Sequence, residues 1–358
     1  MKAGLSLQEL AIEISQQNAA KVDYLVNTES MEFGTEGTQV YLQLFDNEKI
    51  PLEPLTVNSI AHQQLGTFTE IPAAYYNKML TEHPSLLIQN LNEWIHRKPD
   101  QRMVRTLYGT ARAFLSNRYR RIDNMQIAEI VLPELQKIEG AIFESCQLTD
   151  SRMYLKVVGP RLQAEVAPGD IVQSGVIISN SEVGQGSVAI QPLIYRLVCS
   201  NGMVVNDAGA RASRRHVGRQ NELDGNVELY ASDTLEAMDA AFIKQIRDTV
   251  AAAVDQTRFD KVVDLMKNAR DAKLNTQDIP NLVQLTGQRF GITESERGGV
   301  LQHLIEGNDL SLYGLSNAVT RYAQDVESYD RSTELEGVGY KILTMSPHIW
   351  RYINQAAA

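Results

Sequence analysis

Apolar residues recur at two different periods along this chain, and the changes of period divide it into three stretches. Over the first twenty-odd positions Leu7, Leu10, Ala11 and Ile14 fall three or four apart, which gathers them on one face of a short helix. A turn region rich in Gly, Thr and Glu follows at 34 to 38, and VYLQLF, 40 to 45, predicts a strand. Between 57 and 95 the helical spacing returns, with Pro72 and Pro84 where a first turn tolerates the missing amide hydrogen, and Trp94 closes this block.

From about 101 to 205 the apolar runs become short and β-branched: RMVRTLY, AIFESCQL, RMYLKVV, GVIIS and SVAIQPLIYRLVC, with one helix at 124 to 137. In VCSNGMVV, Asn201 and Gly202 stand between apolar stretches and predict a tight type I′ turn, whose two central residues need positive φ. After Gly225 the chain reads as helical. Ser232 or Asp233 caps a helix carrying Leu235, Met238, Phe242, Ile246 and Val250, continuing through Phe259, Val262 and Met266. Thr293 with Glu296 forms a capping box, and further helices are predicted at 311 to 327 and 340 to 355. The expected fold is α+β, with N-terminal helices, a β-rich and mostly antiparallel central portion, and an all-helical C-terminal portion. The expected division is a mixed α/β domain at 1–225, holding the β-rich core and the basic segments, and a helical domain at 226–358.

Composition fits a folded chain with a large core: 43% of its 358 residues are hydrophobic and 22% charged. Cys146 and Cys199 are its two cysteines, too few for a disulfide framework and without zinc-site spacing, so a reducing compartment is expected. Glu9 and Glu13 interrupt the segment where a secretory signal would need an apolar run, and no run approaches membrane-spanning length. The expected location is therefore the cytoplasm, with no membrane partner.

Net charge is −10, but it is unevenly spread. From Arg97 to Arg121 there are eight bases (Arg97, Lys98, Arg102, Arg105, Arg112, Arg118, Arg120, Arg121) against Asp100 alone, a local charge of +7. From Arg211 to Arg219, the bases Arg211, Arg214, Arg215 and Arg219 stand with His216 and no acid, a charge of +4, which leaves the rest at −21. Arginine grips phosphate bidentately and stacks on rings, and Tyr108, Phe114 and Tyr119 are interleaved with it, as in proteins that stack unpaired bases. The residues expected to contact nucleic acid are Arg105, Arg112, Arg118, Tyr119, Arg120, Arg121, Arg211, Arg214, Arg215, His216 and Arg219. The plainer reading pairs these arginines with the chain's excess acids.

Catalytic signatures are weak. No phosphate-binding loop occurs, Gly184-x-Gly186 lacks a third glycine, and the six histidines have neither i, i+4 spacing nor a neighbouring Cys. No cofactor and no metal are expected. Asp150, Glu165 and Asp170 around Lys156 could be forced into a metal-dependent nuclease pattern, and Cys199, in an apolar strand, reads as a small buried hydrophobe.

The segments ARAFLSNRYRRIDN (111 to 124), GVIISNSEVGQGSVAIQPLIYRLVCSNGMVV (175 to 205), RRHVG (214 to 218) and NAVTRYAQD (317 to 325) resemble the phage- and plasmid-encoded family catalogued as domain of unknown function 932. The resemblance runs from about 60 to 345. It carries no settled activity, but implies mobile elements and so recombination, replication or conflict with host defence. Joined to the arginine segments, it implies a protein that binds or anneals single-stranded DNA, with possible homo-oligomers that would align successive basic segments. A protein–protein interaction or anti-defence role without nucleic acid is the alternative, and a metal-dependent nuclease the third reading.

Overall fold

The computed structural model describes residues 1–206, 212–214 and 232–356. Helix α1 (Leu7–Ala20) begins at a capping box in which the Glu9 amide donates to Ser6 Oγ and the Ser6 amide donates to the Glu9 carboxylate; it buries Leu10 and Ile14. A six-stranded sheet follows, built from β1 (Lys21–Asn27), β2 (Met31–Glu36), β3 (Gln39–Leu44) and β4 (Leu55–Val57). The chain then passes through α2 (Ser59–Phe68), α3 (Ala73–Glu82) and α4 (Pro84–Arg97) and returns as β5 (Gln101–Leu107) and β6 (Thr110–Ser116). The order is β1-β5-β6-β4-β3-β2, antiparallel except for the parallel β4–β6 pair. The three helices bury Leu65, Tyr76, Leu87 and Ile95 against Phe33, Leu42 and Val104 of the sheet.

The sequence places helices at the N-terminus but gives no sign of β1, β2 or β4. KVDYLVN and MEFGTE mix charges with their apolar positions because each lies at a sheet edge and buries one side only. Gly34 to Glu36 belong to β2, and the turn lies at Gly37, whose φ is +60°.

The second sheet follows α5 (Asn124–Leu135) and comprises β7 (Ile142–Leu148), β8 (Met153–Ala167), β9 (Asp170–Asn180), β10 (Val188–Arg196) and β11 (Asn201–Val204), in the antiparallel order β11-β10-β9-β8-β7. The short β12 (Ala212–Arg214) also joins β10, pairing Arg214 with Val188, while β11 pairs with Leu193 to Arg196. Pro192 falls where β10 changes neighbour, a position at which its missing amide hydrogen is harmless. The predicted Asn201-Gly202 turn lies instead at 197–200, with Ser200 at φ +50°. Asn201 faces Arg196 across the ladder and donates from its buried side chain to Thr320, so a tertiary bond holds the pair in the strand.

Seven helices complete the described chain: α6 (Ser232–Ala253), α7 (Gln256–Asp271), α8 (Ile279–Phe290), α9 (Glu294–Gly307), α10 (Leu312–Tyr322), α11 (Tyr329–Leu343) and α12 (Pro347–Ala356). The second sheet is buried on both faces. On one, α1, α5 and α6 cover Leu155, Val157, Val176 and Ile178; on the other, α7 to α12 form a core with Val172, Ile194 and Met203. Phe259 and Met266 lie on α7, which Asp255 caps anew, and the stretch 340–355 is divided between α11 and α12 before Pro347. The expected domain boundary at 225–232 lies mostly outside the described residues; beyond it, Phe242 and Ile246 share a core with β8 to β10. Overall the fold is α+β with a C-terminal helical region, as the periodicities predict.

Candidate nucleic-acid interface

The two sheets meet at residues 181–187, the loop between β9 and β10. Gly184 sits there at φ +75°, and a Cβ at this position would lie 2.7 Å from Leu115, so both conformation and space call for glycine. The loop is held by side chains from the first basic segment and its neighbours. Arg105, from β5, donates to the Glu182 carbonyl (2.9 Å), and Arg112, from β6, donates to the Glu182 carboxylate (2.5 Å). Tyr119 donates to the Ser181 carbonyl (3.0 Å), Gln64 to that of Val183 (2.8 Å), and Arg152 to that of Gln185.

Arg105 is completely buried. Its Nε donates to Asp23 (2.8 Å) and its Nη2 to Asp123 (2.6 Å), and Lys21 closes the cluster on Asp123 at 2.8 Å. Burial alone would weaken the Arg105 hold on its proton, but the bonds to Asp23 and Asp123 outweigh it and keep the guanidinium charged. Desolvation likewise opposes ionisation of Asp123, yet Arg105 and Lys21 hold its carboxyl below the ordinary range. Burial pushes the Tyr119 phenol up, so this group acts as a neutral donor. Arg105 and Arg112 thus form a buried latch, and neither can reach a phosphate without opening it.

The remaining candidates divide by position. In the β6–α5 connection Arg118 is exposed, Tyr119 and Arg120 are half-buried, and Arg121 is 58% exposed with Nη1 3.3 Å from Asp23. Arg211, Arg215, His216 and Arg219 lie outside the described residues. Arg214 is described in its backbone: it pairs with Val188, the first residue after the 181–187 loop. Sequence reasoning missed Lys21, Asp23, Asp123 and Glu182. The visible signal was the alternation Lys21-x-Asp23, two opposite charges on one face of a strand.

The nuclease pattern disperses. Lys156 is buried in a 2.7 Å bond to Glu336, Asp170 is gripped by both Nε and Nη2 of Arg196, and Glu165 accepts from the Gly169 amide. Among the described residues no group of three His, Cys, Asp or Glu is placed to hold a metal. Cys199 is half-buried in the 197–200 turn rather than in a strand, with Arg196 Nη1 3.3 Å from its sulfur. Cys146 is the buried thiol, pushed up to about 11 by burial. Among the described residues no helix is long and apolar enough to cross a membrane.

A model of the family described as domain of unknown function (DUF932) matches residues 112–341, about two-thirds of the chain. The chain belongs to that family. Neither the curated proteins nor the solved structures contain a match to it. The strings that carry the DUF932 resemblance meet one another in space. Asn180 of NSEVGQG donates to Asn124 (2.8 Å) and Glu182 bonds Arg112, both of ARAFLSNRYRRIDN. Asn201 of CSNGM donates to Thr320 (2.5 Å), and Gln324 donates to the Cys199 carbonyl (3.0 Å), both from NAVTRYAQD. Residues 1 to 111, including the first sheet's strands β1 to β5, precede the matched region.

Proposed function

We propose that this DUF932 protein binds single-stranded nucleic acid, DNA favoured, through a surface to which both basic segments contribute. One observation carries the reading: the Arg214 backbone pairs with Val188 directly after the loop that seats Tyr119, so two segments about a hundred residues apart adjoin a single loop. Arg118, Tyr119, Arg120 and Arg121 supply one side of the surface, and Arg211, Arg214, Arg215, His216 and Arg219 the other. Guanidinium groups attract phosphate to the basic segments, and the acidic remainder of the chain repels it. Backbone gripping of this kind needs no cofactor and no hydrolysis, which fits annealing or protection of single strands in the recombination or replication of a phage or plasmid, in the bacterial cytoplasm. Self-association would lengthen the basic track from subunit to subunit.

The test is a binding titration with single- and double-stranded oligonucleotides at two salt concentrations. Tighter binding to the single strand, weakening by roughly tenfold or more as salt rises through the physiological range, is the expected result. Binding indifferent to salt, or to charge reversal at Arg118 and Arg121, would remove the reading.

A further inference from the structure

A concave surface lies between the α2–α3 connection and α4. It encloses about 530 Å³, lined among others by Phe68, Ile71, Tyr75, Trp94, Arg97 and Lys98. This volume falls within the ordinary range for a site holding one small ligand, roughly 300–1,000 Å³. Its aromatics are unusually open for their size: Tyr75 is 49% exposed and Trp94 44%. Large rings facing water inside a groove leave an apolar, polarisable surface uncovered.

The chemistry around those rings is specific. Asn90, Trp94 and Arg97 lie on one face of α4, four and three residues apart, so the apolar seat grades into a cationic end at Arg97 and Lys98. The Arg97 guanidinium carbon stands 5.2 Å from the centre of the Trp94 ring, while its Nε bonds Glu93 at 2.7 Å. Beneath, Phe68 carries Arg102 at 4.5 Å, and that guanidinium lies 5.0 Å from Phe114 as well. Glu70 is the acid that lines the groove, against two bases. A flat ring joined to an anion matches both ends of this gradient, whereas an apolar helix would offer nothing to the cationic end, where Glu93 answers Arg97 alone.

We propose that this groove seats an unpaired nucleobase of a bound single strand, the base over Trp94 and Tyr75 and its phosphate at Arg97 and Lys98. The inference rests on the single-strand reading above and adds a stacking subsite, outside the region that the DUF932 model matches. Trp350→Phe leaves Trp94 as the one tryptophan, so its emission reports the groove directly. Titration with a short oligothymidylate is expected to quench it. Tyr75→Ala, Trp94→Ala and Lys98→Glu should each weaken binding by about tenfold, followed for the tryptophan variant by labelled-strand anisotropy. Trp94→Phe, which keeps a stacking ring, should bind nearly as well, and unchanged thermal unfolding of Tyr75→Ala and Lys98→Glu separates these losses from misfolding. Unaltered affinity in Tyr75→Ala and Trp94→Ala, with binding still lost on reversing Arg118 and Arg121, would overturn the groove and leave the single-strand reading standing. A wild-type protein that binds no oligothymidylate at any salt would overturn both.

Discussion

Arg105 and Arg121 lie sixteen positions apart in one basic segment and share the same carboxylate, Asp23, yet they have opposite fates. Arg105 is sealed between two sheets, with Asp23, Asp123 and the Glu182 carbonyl engaging each of its three nitrogens; Arg121 touches Asp23 with one nitrogen and remains 58% exposed. A run of arginines is therefore two devices in one, a buried latch that joins the sheets and a more exposed set that the proposed function assigns to phosphate. Local charge counting cannot separate them, because the acids that decide the matter lie outside the segment, 18 to 82 residues from the arginines they hold.

The sharpest way to break this contrast is Arg105→Met. It leaves Asp23 and Asp123 short of their shared cation in a buried setting, so denaturant unfolding should show a loss of about 3–5 kcal/mol. A loss below about 1 kcal/mol would mean that the latch is ornamental. Glu182→Gln keeps the shape and the Asn124 amide bond but removes the charge facing Arg112, and should cost about 2 kcal/mol by the same measurement. Arg118→Glu with Arg121→Glu should do the reverse. Unfolding is expected to stay within about 0.5 kcal/mol of wild type, while single-strand affinity falls about tenfold and the salt slope flattens by about 0.7 for each lost phosphate contact.

The latch should also show in acid. The Asp123 carboxyl is held below its ordinary value of 3.8, so its contribution to stability is fully present above that pH and is lost as pH falls through its lower, folded value. Stability measured between pH 5 and pH 2 should fall less steeply in Asp123→Asn than in wild type, from a lower starting point. A separate acid effect is expected at His62 on α2. Burial lowers it from 6.5 to about 4, so its contribution is present above pH 6.5 and erodes as pH drops from there toward 4. His62→Gln should flatten that limb by at most a few kcal/mol.

Much of the fold was legible because local signals agreed with packing. Thr293 and Glu296 read as a capping box and form one, and the periodicity of 124 to 137 became α5 despite Pro133. The errors have two causes, a tertiary partner and a sheet edge. Asn201-Gly202 lost its turn to the bond from Asn201 to Thr320, and β1 and β2 were hidden because edge positions expose one side. At the site, the arginines were visible as a cluster, but the latch required Lys21 and Asp23 from a strand that the pattern did not announce. The stacking groove was less legible still: Tyr75 and Trp94 stand nineteen residues apart in segments that read only as helix, and the fold of α3 against α4 is what brings them to one groove.

The central claim, that both basic segments serve one nucleic-acid surface, is tested most directly by photo-crosslinking a single strand carrying 5-iodouracil and mapping the adducts by mass spectrometry. The account predicts adducts in peptides spanning both 117–123 and 211–219, each lost at high salt. Adducts confined to one of these segments, or spread over the helical face formed by α7 to α12, would contradict it.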